Sequence, residues 1–490
     1  PSFVQTPGMG AIWHVRDNEG LYDSADTRVS QADYGTGLKE ALSASGPTTL
    51  QAGDKVIVGA GTFVGDNVEC GVSDVEIVFH DTILETVTAD LSGEPNAAFY
   101  VSNDRIIVKG LTIHVGATTT AYDALFRLGV FATPSANPVD DCLVENCHAN
   151  GLHIANTGGG NGFLSTYGCT NLRVINCSAI NLNGGTVSQG RGIYVSGGSN
   201  HLVDGFYSED NRYIGMRFSN CDYLTVRNSK IVNMGATTGA IGAGQNDPRS
   251  IEIDGSVDAP NKQAFENIVC YSNTPKGQAY IGFNYADTHR CKSLSLSNVQ
   301  IINDNNISPG VSWDNANRMQ CCKLQNTGSV YMENCTFKHG ANTNPGGTAY
   351  SFSFDKPVDA LHATNCWFSG GYSGGGQTGT GRLRFEDCQL GGDDITMLRL
   401  CDIGPGQVSF TECDINLDGS FTLELFNLTA AAPQAGDSLT LHKCTVTTDK
   451  ATDMVISDQP GLMNANRRIK CSESKFVNTN ATGDFLRSTD

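Results

Sequence analysis

Apolar residues in this chain fall at alternate positions within short runs, as in Lys55-Val56-Ile57-Val58, the period of a strand with one face buried. One block carries this alternation repeatedly: two alternating apolar residues, a polar residue or two, Cys, one residue, then another apolar one. It reads Leu143-Val144-Glu145-Asn146-Cys147 and Val174-Ile175-Asn176-Cys177, then Tyr331-Met332-Glu333-Asn334-Cys335-Thr336-Phe337 and Ala363-Thr364-Asn365-Cys366-Trp367-Phe368. Further copies are centred on Cys388, Cys413 and Cys444, and the last puts Ser474 where the others have Cys. The late copies are spaced by 31, 22, 25, 31 and 30 residues. Fixed strands joined by turns of variable length give such a period, so each copy predicts one coil of a solenoid. The Asn or Asp before Cys suits a tight bend with a left-handed residue. Each Cys is then expected to point inward as a small apolar side chain.

A second pattern recurs in Gly151-Leu152-His153-Ile154, Gly192-Ile193-Tyr194-Val195, Gly215-Met216-Arg217-Phe218, Ser250-Ile251-Glu252-Ile253 and Gly282-Phe283-Asn284-Tyr285. The second and fourth residues face inward and the third turns out. Stacked in register about 4.8 Å apart, His153, Tyr194, Arg217, Glu252 and Asn284 would form one outward column. Arg127, Ser312, Ser353, Arg399 and Glu424 are expected to continue it.

Such a column has the parts that sugar chemistry uses. A carboxylate serves as acid, base or nucleophile, Tyr or His moves a proton, and Arg neutralises a uronate or holds an oxyanion. The candidate catalytic residues are Glu252, Tyr194, Arg217 and His153. Arg191, Tyr207, Arg212, Tyr213, Asn284, Asp247 and Arg249 are candidates for substrate binding, with His201, Asp204 and Glu209 nearby. The alternative is that these positions are polar because they meet water.

The first 50 residues differ. Gly37–Ser43 predicts a short capping helix, followed by an Ala52-Gly53-Asp54 turn, the strand Lys55–Val58 and Gly59-Ala60-Gly61-Thr62-Phe63. That order, with the later Cys blocks, resembles the pectate-lyase-like superfamily of right-handed parallel β-helices. The resemblance implies an all-β chain: a capping segment at 1–50 and a single right-handed parallel β-helix over 51–490, about a dozen coils long. It also implies association as a homotrimer. The superfamily holds lyases, hydrolases, epimerases and phage tailspikes, so it assigns no reaction by itself.

Composition narrows the field. Apolar residues make up 39% and charged residues 17%, which is not the balance of a disordered chain. The formal net charge of −19 opposes binding to nucleic acid phosphates or anionic membranes. No apolar run reaches the roughly 18 residues of a membrane span, and Pro1–Gln5 shows no signal-peptide pattern. Seventeen cysteines, with no Cys-x-x-Cys, point to reduced core residues rather than zinc or a disulfide scaffold. No metal or cofactor is expected. The polygalacturonase-type Asn-Thr-Asp signature is missing, and Asn246-Asp247-Pro248-Arg249 departs from the Asp-Pro-His-Glu of β-helix epimerases.

Three readings remain open. The first is a virion-surface protein of tailspike or capsid-decoration type that contacts glycans and virion proteins. The second is a polysaccharide lyase or hydrolase, and the third is a structural or adhesive scaffold.

Overall fold

A computed structural model of the chain describes residues between 10 and 478, apart from short loop stretches and longer ones at 31–37, 43–49, 130–138, 152–161, 183–189, 236–248, 305–319, 339–349, 392–398, 417–423, 429–437 and 449–467. The chain forms two compact units, Pro1–Lys230 and Ile231–Asp490. Both are built of parallel β coils, as the alternation predicts. Each coil gives one strand to a flat sheet and two consecutive segments to a second, bent sheet. In the first unit the flat sheet runs Val68–Cys70, Ala97–Val101, Ala124–Leu128, Gly162–Tyr167, Ile193–Ser196 and Ile214–Ser219, all parallel neighbours in that order. In the second it begins Arg249–Gly255, Ile281–Tyr285, Gln320–Gln325 and Tyr350–Phe354 and ends at Glu424–Leu428.

Because the register repeats from coil to coil, inward side chains stack on their own kind. Phe99 and Phe126 form such a pair in the first unit, with centroids 5.1 Å apart, and Phe163, one position out of that register, meets Phe126 edge-on at 6.2 Å. In the second, Phe385 and Phe410 stack at 5.0 Å and 12°. Each buried Phe contributes roughly 2–3 kcal/mol by its removal from water.

The bend explains the Cys block. Asn146, Asn176, Asn334, Asn365 and Asp387 all have φ between 49° and 54°, the left-handed region that Asn and Asp tolerate better than most residues. The Cys that follows is more than filler. Cys335 donates from Sγ to the Leu296 carbonyl of the preceding coil at 3.5 Å and to the Glu333 carbonyl at 3.3 Å; Cys413 and Cys444 repeat the pattern. Where the sequence puts Ser, the bond to the carbonyl two residues back persists and the tie to the preceding coil changes direction: Ser229 Oγ donates to the Arg227 carbonyl at 2.9 Å and accepts the Phe206 N–H at 3.2 Å. Every described cysteine is a free thiol, and all but Cys471 are buried. Cys471 is exposed, against expectation, because it lies in the last described coil, Arg468–Asn478. Burial pushes the Cys70, Cys142 and Cys270 thiols up to about 12, so they stay protonated at neutral pH.

Of the capping helix expected at 37–43, only Leu38 and Leu42 are described; both are helical and fully buried, no continuous helix is seen, and the rest of the segment lies outside the described residues. Ile12–Arg16 adds parallel to Lys55–Val58 and carries an antiparallel partner, Gly20–Tyr22. Buried Asp54, the end of the Ala-Gly-Asp turn, staples this addition. Its carboxylate accepts the Ala11 N–H at 2.7 Å, the Gln51 N–H at 2.9 Å and the Trp13 indole N–H at 3.1 Å.

Candidate functional site

On the flat sheet of the first unit, Glu69, Tyr100, Arg127, Ser165, Tyr194 and Arg217 occupy one register position. Tyr194, Arg217 and Arg127 therefore share a column as the tetrapeptides predict. The expected place of His153 is taken by Ser165, and His153 itself lies outside the described residues. Gly192 opens its tetrapeptide for a packing reason: a Cβ there would come within 2.3 Å of the Gly215 carbonyl oxygen.

Around Tyr194 an aromatic and cationic cluster forms. The Arg191 guanidinium lies 5.0 Å from the Tyr194 ring centroid and 5.5 Å from that of Tyr213, while Arg217 lies 5.7 Å from Tyr194. Tyr167 meets Tyr194 edge-on at 5.5 Å. Each guanidinium over a ring face gains about 0.5–2 kcal/mol, more when water is excluded. Arg191 and Tyr213 are buried, whereas Tyr194 and Arg217 are half-exposed. Burial, and then the like charge of Arg217, pull the Arg191 guanidinium below its ordinary value. Two cations held this close favour an anion between or beside them.

In the second unit the column shifts. Glu252 stands opposite Gly282, and Asn284 opposite Asp254. The alternation of Ile281, Phe283 and Tyr285 fits either alignment, so the pattern alone could not fix a two-residue offset. Gly282 at the outward position makes room for Tyr280, whose ring a Cβ there would meet at 2.5 Å. Arg249 lies over that ring at 5.3 Å and reaches the Glu252 carboxylate at 2.5 Å. Glu252, at 8% exposure, is a buried carboxylate in an ion pair rather than an open base. Farther along, Ser353 aligns with Lys323 and Ser373, and Asp402 follows. Arg399 and Glu424 pair with each other three residues before Asp402 and Asn427, off the expected column. Asp247 and Ser312 lie outside the described residues.

Several expected neighbours belong to the bent sheet instead. Tyr207 donates to Glu209 at 2.7 Å, and burial with that bond pushes its phenol up to about 12. Asp204 pairs with Arg227 at 2.7 Å. His201 is buried, with its Nε2 on the Gly197 carbonyl at 3.1 Å. Arg212 adjoins Tyr213, its N–H on the Leu182 carbonyl at 3.0 Å. Sequence reasoning passed over Tyr167, Tyr280 and Asp254. Tyr280 stands two residues before Gly282, as Arg191 precedes its own tetrapeptide, and that flanking position was the available signal.

The parallel β-helix defined by these coils is one that known proteins share. No family model matches the chain, and no curated protein matches it in sequence. Among solved structures it is similar to a variant tailspike protein of E. coli bacteriophage HK620 at 12% identity and TM-score 0.54, with 94% of this chain and 78% of that one covered. Another variant of that tailspike, in complex with a pentasaccharide, matches at 10% identity and TM-score 0.50 over 86% of this chain and 72% of that one. Pectate lyase Pel9A is similar at 13% identity and TM-score 0.42 over 70% and 79%. At such identities the likeness is one of fold.

Proposed function

We propose that the chain is a glycan-binding β-helix of the tailspike type, carried on a virion surface, whose first unit receives an acidic sugar. The observation that carries this reading is the Arg191–Tyr194–Tyr213–Arg217 cluster on the flat sheet. Tyr rings offer stacking faces, and the paired guanidiniums offer charge-assisted hydrogen bonds to a carboxylate. A uronate would also relieve the repulsion between Arg191 and Arg217 despite the net charge of −19. The HK620 tailspike, similar in fold, is described with a bound pentasaccharide, which supports a saccharide ligand. Calorimetric titration with oligouronates tests the reading. Binding that falls about tenfold or more in Arg217→Ala is the expected result; no binding of any acidic oligosaccharide sinks it.

A catalytic reading rests on a separate observation in the second unit. Glu252 and Asp254 leave the same face of Arg249–Gly255, two residues apart, with Arg249 on Glu252. Side chains two apart on a strand start about 6.6 Å from each other, so the two carboxylates are neighbours on that face. If the chain cleaves polysaccharide here, Glu252→Gln abolishes release of reducing ends or unsaturated uronates while the fold stays intact. Full activity in that variant removes Glu252 from the chemistry.

A further inference from the structure

The second unit carries a concave groove of about 520 Å³ along the bend of its bent sheet. Its lining includes the left-handed residues Asn365, Asp387 and Glu412 and the outward residues Trp367, Gln389 and Asp414 that follow them on successive coils, with Asn334 on the coil before. The groove owes its existence to the bend: one residue at positive φ turns the chain sharply, and the repeat extends the resulting trough from coil to coil.

Among the described residues, Trp367 is the one aromatic side chain lining this polar trough, and it is half-exposed. Its indole N–H donates to the Gly391 carbonyl on the next coil at 3.3 Å, which ties down the ring. Asn365 donates to the Asn334 side-chain oxygen at 2.7 Å. The exposed side chains of Asp387, Gln389 and Asp414 make no hydrogen bond or ion pair among the described residues. An oriented indole amid open amides and carboxylates suits a sugar, whose C–H face stacks on the ring while its hydroxyls donate to the acceptors.

Charge selects among sugars. Among the described residues, no Lys, Arg or His lines the groove, while Asp387, Glu412 and Asp414 do. Lys443, outside the lining, is ion-paired with Glu412 at 3.1 Å. A uronate or phosphate would be repelled, and neutral hydroxyls or acetamides would not. Four coils, from that of Asn334 to that of Asp414, span about 14 Å at the coil repeat, room for two or three pyranose rings.

We propose that this groove binds a short stretch of neutral or N-acetylated polysaccharide, with Trp367 as its stacking platform and Asp387, Gln389 and Asp414 as its hydroxyl partners. The site is separate from the acidic-sugar cluster and stands or falls without it. The test titrates the full chain with N-acetylglucosamine trimer, maltotriose and mannotriose, following tryptophan fluorescence and heat, with trigalacturonate as the charged counterpart. At least one neutral trisaccharide is expected to bind. Trp367→Ala weakens it about tenfold or more, Trp367→Phe less so, and Arg217→Ala not at all. Should Trp367→Ala fail to fold, the Asp387→Ala, Asp414→Ala double variant decides, since unchanged affinity there overturns the proposal. So does the failure of all three neutral probes to bind at millimolar concentration, or undiminished binding to a folded Trp367→Ala.

Discussion

The two units share one backbone plan and present opposite chemistry on it. In the first, the face of the flat sheet gathers Arg191, Arg217 and three tyrosines. In the second, the bend gathers carboxylates and amides around a lone Trp. Tyr194 and Arg217 in the first, and Trp367, Gln389 and Asp414 in the second, use positions that the pleat turns outward, so the apolar columns inside are left undisturbed. The coil is therefore a neutral carrier, and specificity lies in whichever outward column the sequence fills.

The most forceful challenge to this contrast is Arg127, in register with Arg217's column yet fully buried. Arg127→Ala should cost about 3–5 kcal/mol, read as a drop in unfolding midpoint, while Arg217→Ala leaves the midpoint nearly unchanged. Equal effects would show that burial does not divide the column. Acid should next single out the first unit through His201. Burial pulls its imidazole from 6.5 down to about 4, so on acidification the unfolded chain takes up the proton first. Its contribution is complete above about pH 6.5, falls between there and pH 4, and is then exhausted, about 3 kcal/mol in all. His201→Gln should flatten that limb in pH-dependent melts. A crossed pair comes third: Arg217→Ala should weaken uronate binding about tenfold and spare neutral sugars, and Trp367→Ala the reverse. The smallest effect concerns the bend itself. Glu412 sits at φ 55° where other coils have Asn, so Glu412→Asn should stabilise by about 0.5–1 kcal/mol in the same melts.

How much of this was legible depended on which residues reported on their own surroundings. The bend was readable because Asn before Cys is a local solution to a local problem, the left-handed turn, and the structure repeats it at Asn146, Asn334 and Asn365. The flat-sheet column was readable only in part. Tyr194 and Arg217 align, and Gly192 lets its strand approach the Gly215 carbonyl of the next one. Glu252 and Asn284 do not align, since a period-two pattern is blind to a slip of two. Tyr207 and His201 lie on the bent sheet, away from the register position of Tyr194 and Arg217, because closeness in sequence is not closeness in space here. A coil carries residues only a few positions apart onto different sheets. Trp367 stood in plain view inside a Cys block, but the concavity around it comes from stacking several coils and leaves no trace in any one of them.

The corners of the coil divide their labour unequally. Two residues join Ile193–Ser196 to Ser199–Asp204, and two join Ile214–Ser219 to Asp222–Arg227. The return to the flat sheet is elastic in length: 4 residues separate Tyr207–Glu209 from Ile214–Ser219, 12 separate Ser178–Ile180 from Ile193–Ser196, and 16 separate Cys291–Asn303 from Gln320–Gln325. The corner after a flat-sheet strand stretches too, with 14 residues between Ala124–Leu128 and Leu143–Glu145, whereas two residues join Arg173–Ile175 to Ser178–Ile180 and Gln407–Thr411 to Asp414–Asn416. Insertions and deletions thus enter on either side of a flat-sheet strand and spare the bend. A lineage can lengthen, shorten or exchange these loops without renegotiating the interior, and so change what it recognises far faster than what it is.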